Sequence, residues 1–125
     1  DSRRAALASP GFRAWLEEQP LDALYISAIT LMEAEIGTLR VQRRDPPQGA
    51  LLRAWIDDIV LPRFDMRILP VTAEIALRAA ALQVPDPLAT ADCLIAATAL
   101  VNGMSLVTRN ARHFGRTGVS LVNPW

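Results

Sequence analysis

ADCLIAATALVNGMSLVTRN, residues Ala91–Asn110, contains one apolar run of helical length, a turn signal and a second, shorter apolar run. The turn signal is Asn102-Gly103, so the stretch predicts a buried helix over about 89–102 and a buried strand over Ser105–Thr108. Neither apolar half reaches the roughly 20 residues that a membrane-spanning helix needs. A helix followed at once by a short apolar strand is typical of an α/β fold.

The rest of the chain continues this alternation of short β-rich runs and longer helical patterns. Strands are predicted at Leu24–Ser27, Arg67–Val71 and Val119–Val122. Helices are predicted over Pro10–Glu18, from Thr30 to about Val41, over Gly49–Leu61 and over Thr72–Gln83, with a loop at Arg43–Pro47. The order predicts a parallel sheet wrapped by helices. Only four strands are predicted, and a fold of this kind usually begins with a strand.

Composition limits the class of protein. The 125 residues are 51% hydrophobic, which suits one compact domain over residues 1–125. Because the formal net charge is zero, any nucleic-acid contact has to be local. All 13 cationic residues are arginine, a side chain suited to phosphate, although a genomic bias in composition explains this equally well. The single cysteine, Cys93, cannot form an internal disulfide, and this favours a cytoplasmic location.

Three polar residues are expected at one edge of the sheet. Glu33 and Asp92 are predicted in the first turns of helices, and Asn110 follows the end of a strand. In parallel α/β folds such positions share the carboxyl edge of the sheet. Two carboxylates with further oxygen donors suit Mg²⁺ or Mn²⁺.

Each of these residues also has a structural explanation. Thr30 and Glu33 fit a capping box, Asp92 suits the positive end of a helix dipole, and Asn110 is a common turn residue. Asp92 is nevertheless the only charge between residues 88 and 108, where an unpaired acid is costly. Glu35 competes with Glu33, because helical periodicity puts Glu35 nearer the apolar stripe formed by Leu31, Met32, Ile36 and Leu39.

Two further residue types narrow the chemistry. His113 is the only histidine, which excludes a zinc site built on two or three histidines. Cys93 lies in an apolar helix with no histidine nearby in sequence, so an inert buried thiol is favoured over a nucleophile.

Two motifs resemble the PIN-domain ribonucleases of the VapC toxin type. ISAITLMEAEIG, residues Ile26–Gly37, is similar to the segment that supplies the second acidic residue of that family, here Glu33. The stretch Ala91–Asn110, with Phe114 and the terminal LVNPW, is similar to the family's most characteristic block. In that block the helix-opening aspartate corresponds to Asp92, and the T-x-N/D element corresponds to Thr108 and Asn110.

The resemblance implies a three-layer α/β/α fold with a central parallel sheet, and a metal-dependent endoribonuclease that is the toxin of a toxin–antitoxin pair. Glu33 and Asp92 would hold Mg²⁺ or Mn²⁺, and Thr108 and Asn110 would orient water or phosphate. Arg109, Arg112 and Arg116 are candidate contacts to RNA phosphates. The resemblance also implies a homodimer and a small antitoxin of VapB type.

The sequence departs from the family pattern in two respects. Nothing in it matches the family's first, central strand with its aspartate, so we expect the 125 residues alone to be inactive. His113 stands where many relatives carry an aspartate. The alternative is therefore a non-catalytic PIN domain that retains antitoxin binding or dimerisation. A small-ligand domain is disfavoured, because no glycine-rich phosphate loop follows a predicted strand.

Overall fold

The structure is a computed structural model and describes residues 14, 18–20, 23–108 and 110–124. The chain divides into two compact units, which we call the middle unit, Asp22–Leu69, and the terminal unit, Asp1–Leu21 with Pro70–Trp125. The helix predicted over Pro10–Glu18 lies largely outside the described residues. The assignment of residues 1–125 to a single domain stays a prediction.

The middle unit is built on a short parallel strand pair. β1 (Ile26–Ser27) pairs with β2 (Ile68–Leu69), with Ile26 opposite Ile68. The Arg67 guanidinium adds to this pairing by donating from Nε to the Leu24 carbonyl at 3.1 Å. The predicted parallel pairing is confirmed, although both strands are shorter than their sequence patterns suggest.

Helix α1 (Ala28–Arg44) begins earlier than predicted, because Ser27 and not Thr30 is its N-cap. The Ser27 hydroxyl oxygen accepts from the Thr30 backbone N–H at 2.9 Å, and the hydroxyl donates to Thr30 Oγ1 at 3.0 Å. The predicted capping box of Thr30 and Glu33 is therefore wrong. Glu33 lies beyond the first turn, which contains no acid.

The predicted loop Arg43–Pro47 is also much shorter. Asp45 alone separates α1 from α2 (Pro46–Trp55), and its side chain accepts from the Gln48 backbone N–H at 3.3 Å. Proline is tolerated at the first positions of a helix, where the N–H has no partner within the helix. After α2 the chain forms a π-helical segment, Ile56–Val60, and a short helix α3, Leu61–Arg63.

The helical spacing of Leu51, Leu52, Trp55 and Ile59 predicts one apolar face for this helix, but the face that α2 buries differs from it. Leu52 and Ile56 are buried together with Gly49, whereas Leu51 and Ile59 are 61% and 55% exposed. The reason is a close approach of backbones: a Cβ on Gly49 would lie 2.3 Å from the Gln42 Cα of α1. The face that contains Gly49 is thus the one that packs against α1. Leu51 and Ile59 lie outside this contact and are therefore exposed.

The terminal unit contains two helices that pack directly on each other. α4 (Ala73–Ala81) begins at Thr72, whose hydroxyl oxygen accepts from the Ile75 N–H at 3.2 Å, as predicted. α5 (Thr90–Val101) confirms the predicted apolar helix. The core between them consists of the buried residues Ile75, Ala79, Cys93 and Ala97. The small side chains of Ala79, Cys93 and Ala97 let the two helices approach closely.

The chain then returns as a second parallel strand pair. After α5 it turns at Asn102-Gly103, with Gly103 at a φ of 65°, a conformation that favours glycine. β3 (Leu106–Val107) pairs with β4 (Leu121–Val122), and Leu106 lies opposite Leu121. A short helix α6, Ala111–Phe114, and a 3₁₀ turn, Gly115–Thr117, connect them. In the described parts of the chain, no helix is long and apolar enough to cross a membrane.

Candidate functional site

Asp92 lies in the first turn of α5, as predicted. Asp92 is half-buried and stands next to the buried core residue Cys93. Within the described residues, no hydrogen bond or ion pair to the Asp92 carboxylate is formed. The N-cap, Ala89, also has no side chain that could cap the helix. A half-buried carboxylate without a protein partner is costly, so a bound cation would compensate it.

Cys93 follows Asp92 but has the properties of an inert thiol. Its side chain is 1% exposed, and this burial raises the pKa of the thiol. The neighbouring Asp92 charge raises the same pKa further, while Arg116 lowers it. A thiol with a raised pKa is a poor nucleophile at neutral pH, which supports the structural interpretation of Cys93.

Thr108 and Asn110 lie together at the carboxyl end of β3. The Thr108 N–H donates to the Val122 carbonyl at 3.0 Å, which ties it to the end of β4. The Thr108 hydroxyl oxygen in turn accepts from the Asn110 backbone N–H at 3.0 Å. The exposed Asn110 side chain is thereby carried on a turn that Thr108 fixes.

An open cavity of about 290 Å³ begins at Asn110. Its lining residues are Asn110, Ala111, Arg112, His113 and Asn123. Sequence reasoning did not identify Asn123. It could have done so, because Asn123 follows β4 just as Thr108 follows β3, and parallel strands end at the same edge of a sheet.

The three candidate arginines have different surroundings. Arg109 lies outside the described residues. Arg112 is exposed and lines the cavity. The Arg116 guanidinium donates to the Asp86 and Pro87 carbonyls, the second at 2.9 Å, and forms a 3.5 Å ion pair with Asp86. Arg116 therefore holds Asp86 and Pro87, which precede α5, and Arg112 is the better placed of the two arginines for a ligand.

Glu33 lies on α1 in the middle unit, whereas the other candidates lie in the terminal unit. Glu33 is half-buried. Its competitor Glu35 forms a two-pronged ion pair with Arg53, at 2.6 and 2.7 Å. The hydrogen bond from Arg53 lowers the pKa of Glu35. Glu35 thus has a structural partner on α2, and no ligand is needed to balance its charge.

The candidate residues are all oxygen donors: the two carboxylates expected to hold a metal, and a hydroxyl and an amide expected to orient water or phosphate. This chemistry fits a hard divalent cation such as Mg²⁺ or Mn²⁺. Over the residues that the structure describes, however, no three His, Cys, Asp or Glu side chains form a group that could hold a metal ion.

Comparison with protein families finds one model over most of the chain. The model described as the PIN domain matches residues 8–119. Among curated proteins, the plasmid stability protein StbB of Pseudomonas syringae pv. tomato is 36% identical over 122 residues, 89% of this chain and 82% of that protein. The VapC ribonuclease Y4jK of Sinorhizobium fredii is 31% identical over 120 residues, 90% of this chain and 82% of that one.

Two further matches, one by sequence and one by structure, come from Neisseria gonorrhoeae. The toxin FitB of Neisseria gonorrhoeae is 32% identical over 117 residues, 90% of this chain and 83% of that protein. The crystal structure of FitAcB from the same organism matches with a TM-score of 0.84 and 30% identity, covering 94% of this chain and 86% of that one.

Proposed function

The chain belongs to the PIN-domain family, among its VapC-type members, and we propose that it is the ribonuclease toxin of a toxin–antitoxin pair. Membership agrees with the predicted three-layer α/β/α fold class and its parallel strands. The single observation that carries the proposal is Asp92, a half-buried carboxylate in the first turn of an apolar helix, with no protein partner among the described residues.

Glu33 and Asp92 are the proposed ligands of Mg²⁺ or Mn²⁺, by correspondence with the family motifs. A bound divalent cation would lower the pKa of a water molecule and neutralise charge on the scissile phosphate. Asn110 offers an amide that donates to phosphate or orients water, and Thr108 fixes the turn that carries it. Arg112 attracts the RNA strand, which the molecule's zero net charge cannot do.

Cleavage of RNA with and without metal tests this function. We expect the complete gene product to cleave single-stranded RNA in Mg²⁺ or Mn²⁺, and EDTA to abolish cleavage. Substituting Glu33→Gln with Asp92→Asn should remove both cleavage and saturable Mn²⁺ binding. Glu74→Gln, an exposed acid in the first turn of α4, is the matched control. Full cleavage by the double variant would refute the assignment.

The 125 residues by themselves are expected to show little activity. The family pattern uses a further acid, and the described residues contain no group of three metal-binding side chains. Cleavage by the 125-residue chain, measured beside the complete gene product, tests this expectation. Equal rates that depend on Glu33 and Asp92 would show that the two carboxylates suffice.

A non-catalytic PIN domain is the second candidate, and an exposed apolar face favours it. Met32, Ile36 and Leu39 of α1, which belong to the apolar stripe found in the sequence, are 47%, 37% and 53% exposed. Such a face suits a protein partner: a second copy of the chain or a small antitoxin of VapB type. A complete gene product that binds its antitoxin but neither Mn²⁺ nor RNA would establish this alternative.

A further inference from the structure

The cavity beside Asn110 lies where two parallel strands end. Thr108 follows β3 and bonds to the Val122 carbonyl of β4, so Asn123, the next residue, lies at the same edge. Arg112 and His113 come from α6 and line the cavity from the segment that connects the two strands. Four polar side chains from three parts of the chain thus surround one space.

The chemistry of this lining is that of an anion site. It includes one arginine, one histidine and two asparagines, and it contains no carboxylate. An arginine is always charged and offers a planar fork of N–H donors. Each asparagine adds an amide donor, and histidine offers a ring N–H. A divalent cation would need oxygen ligands of negative charge here, and the lining does not supply them.

The cavity is open to solvent and small for a ligand site. Its volume of about 290 Å³ lies at the lower limit of ligand sites, which span roughly 300–1,000 Å³, so it has room for a phosphate group but not for a large ligand. We propose that this cavity binds one phosphate group of the RNA strand, held by Arg112 and oriented by Asn123. The proposal rests on the proposed ribonuclease function and deepens it by naming the residues that hold a phosphate of the substrate.

Binding in EDTA tests the proposal without requiring cleavage. Two probes are used. Binding of inorganic phosphate is measured by two-dimensional NMR of the backbone amides at 110–113 and 123. Binding of a short single-stranded RNA is measured by fluorescence anisotropy. The variants are Arg112→Ala and Asn123→Asp, both at exposed positions. Arg78→Ala removes an exposed arginine of α4 and is the matched control. Thermal unfolding checks that each variant is folded.

We expect Arg112→Ala to weaken RNA binding about tenfold, as for loss of a hydrogen bond to a charged group. It should also lower the log–log salt slope by about 0.7. Asn123→Asp should weaken both probes by placing a negative charge in the cavity, whereas Arg78→Ala should match the wild type.

The failures of the two proposals are distinguishable. If Arg112→Ala and Asn123→Asp bind both probes as Arg78→Ala does, while RNA is still cleaved in Mg²⁺, the phosphate site is wrong and the ribonuclease function stands. If phosphate changed the NMR signals of the cavity residues but the protein had no affinity for RNA, the assignment of the ligand to RNA would be overturned, and the proposed function with it.

Discussion

Asp92 and Glu74 occupy equivalent places, the first turns of α5 and α4, but only Asp92 is half-buried. A carboxylate that serves the helix dipole contributes about 0.3–1 kcal/mol. We expect Glu74→Gln to lower the melting temperature slightly. Asp92→Asn should leave it unchanged or raise it in EDTA, because the half-buried charge lacks a partner among the described residues. If calorimetry showed equal losses of melting temperature in the two variants, Asp92 would serve only to stabilise the helix dipole.

Substitutions at Glu33 and Glu35 should have different effects, one on metal binding and the other on stability. Glu35→Gln breaks the ion pair with Arg53, so we expect lower stability and unchanged Mn²⁺ affinity. Glu33→Gln should lose Mn²⁺ affinity. Isothermal titration in Mn²⁺ and thermal unfolding in EDTA measure the two effects. A greater loss of Mn²⁺ affinity in Glu35→Gln would transfer the ligand assignment to Glu35.

The Glu35–Arg53 pair also predicts a pH dependence. Its hydrogen bond holds the pKa of Glu35 below the ordinary 4.5. A carboxyl group whose pKa is lower in the folded state stabilises the fold at pH values above its ordinary pKa. This contribution disappears as the pH falls through the folded-state pKa. Since both side chains are about a third exposed, the contribution should be at most about 1 kcal/mol. The stability difference between wild type and Glu35→Gln should therefore shrink below pH 4.5. A difference that grows on acidification would contradict the sign.

At the scale of elements, the sequence predicted the helices of the terminal unit well because their signals agree. Thr72 is the only capping hydroxyl near the start of α4, and an unbroken apolar run determines α5. At α1 two capping residues, Ser27 and Thr30, stand one turn apart, and local pattern cannot choose between them. Tertiary contact decided the buried face of α2, since the approach of Gly49 to Gln42 involves residues of two helices.

The N-cap of α1 can be tested directly. The Ser27 oxygen satisfies the Thr30 N–H, which would otherwise lack a partner within the helix. We expect Ser27→Ala to cost about 1 kcal/mol of unfolding free energy. Thr30→Ala should cost clearly less, because the Ser27 cap remains. Chemical denaturation of both variants gives the comparison, and a larger loss in Thr30→Ala would restore the capping position predicted from the sequence.

At the scale of the whole molecule, parallel-sheet geometry predicted part of the site. It placed Asn110 correctly after β3, and the same rule applied to β4 would have identified Asn123. The choice of Glu33 over Glu35 came only from the family pattern, because periodicity pointed to Glu35. The sequence could not identify which residue pairs with each charged side chain. Arg53 is 18 residues from Glu35, and Arg116 is about 30 from Asp86 and Pro87.

The exposed stripe on α1 leads to a prediction about assembly. Met32, Ile36 and Leu39 follow helical spacing on one face, and we expect the protein to be a homodimer that buries them. Replacing Met32 and Leu39 with glutamate removes four apolar side chains from a symmetric dimer, two from each protomer. Each is about half-buried in one copy already, so its further burial contributes about half of the roughly 1.5 kcal/mol for a fully buried side chain. The dimer should therefore weaken by about a hundredfold.

Analytical ultracentrifugation measures this effect. Leu77→Glu is the control, since Leu77 of α4 is apolar and 74% exposed but belongs to the terminal unit. We expect wild type and Leu77→Glu to sediment as dimers, and the double variant as a monomer with an unchanged circular dichroism spectrum. A monomeric wild type, or a double variant as dimeric as the control, would contradict self-association through α1 and leave the antitoxin as the partner to test on this face.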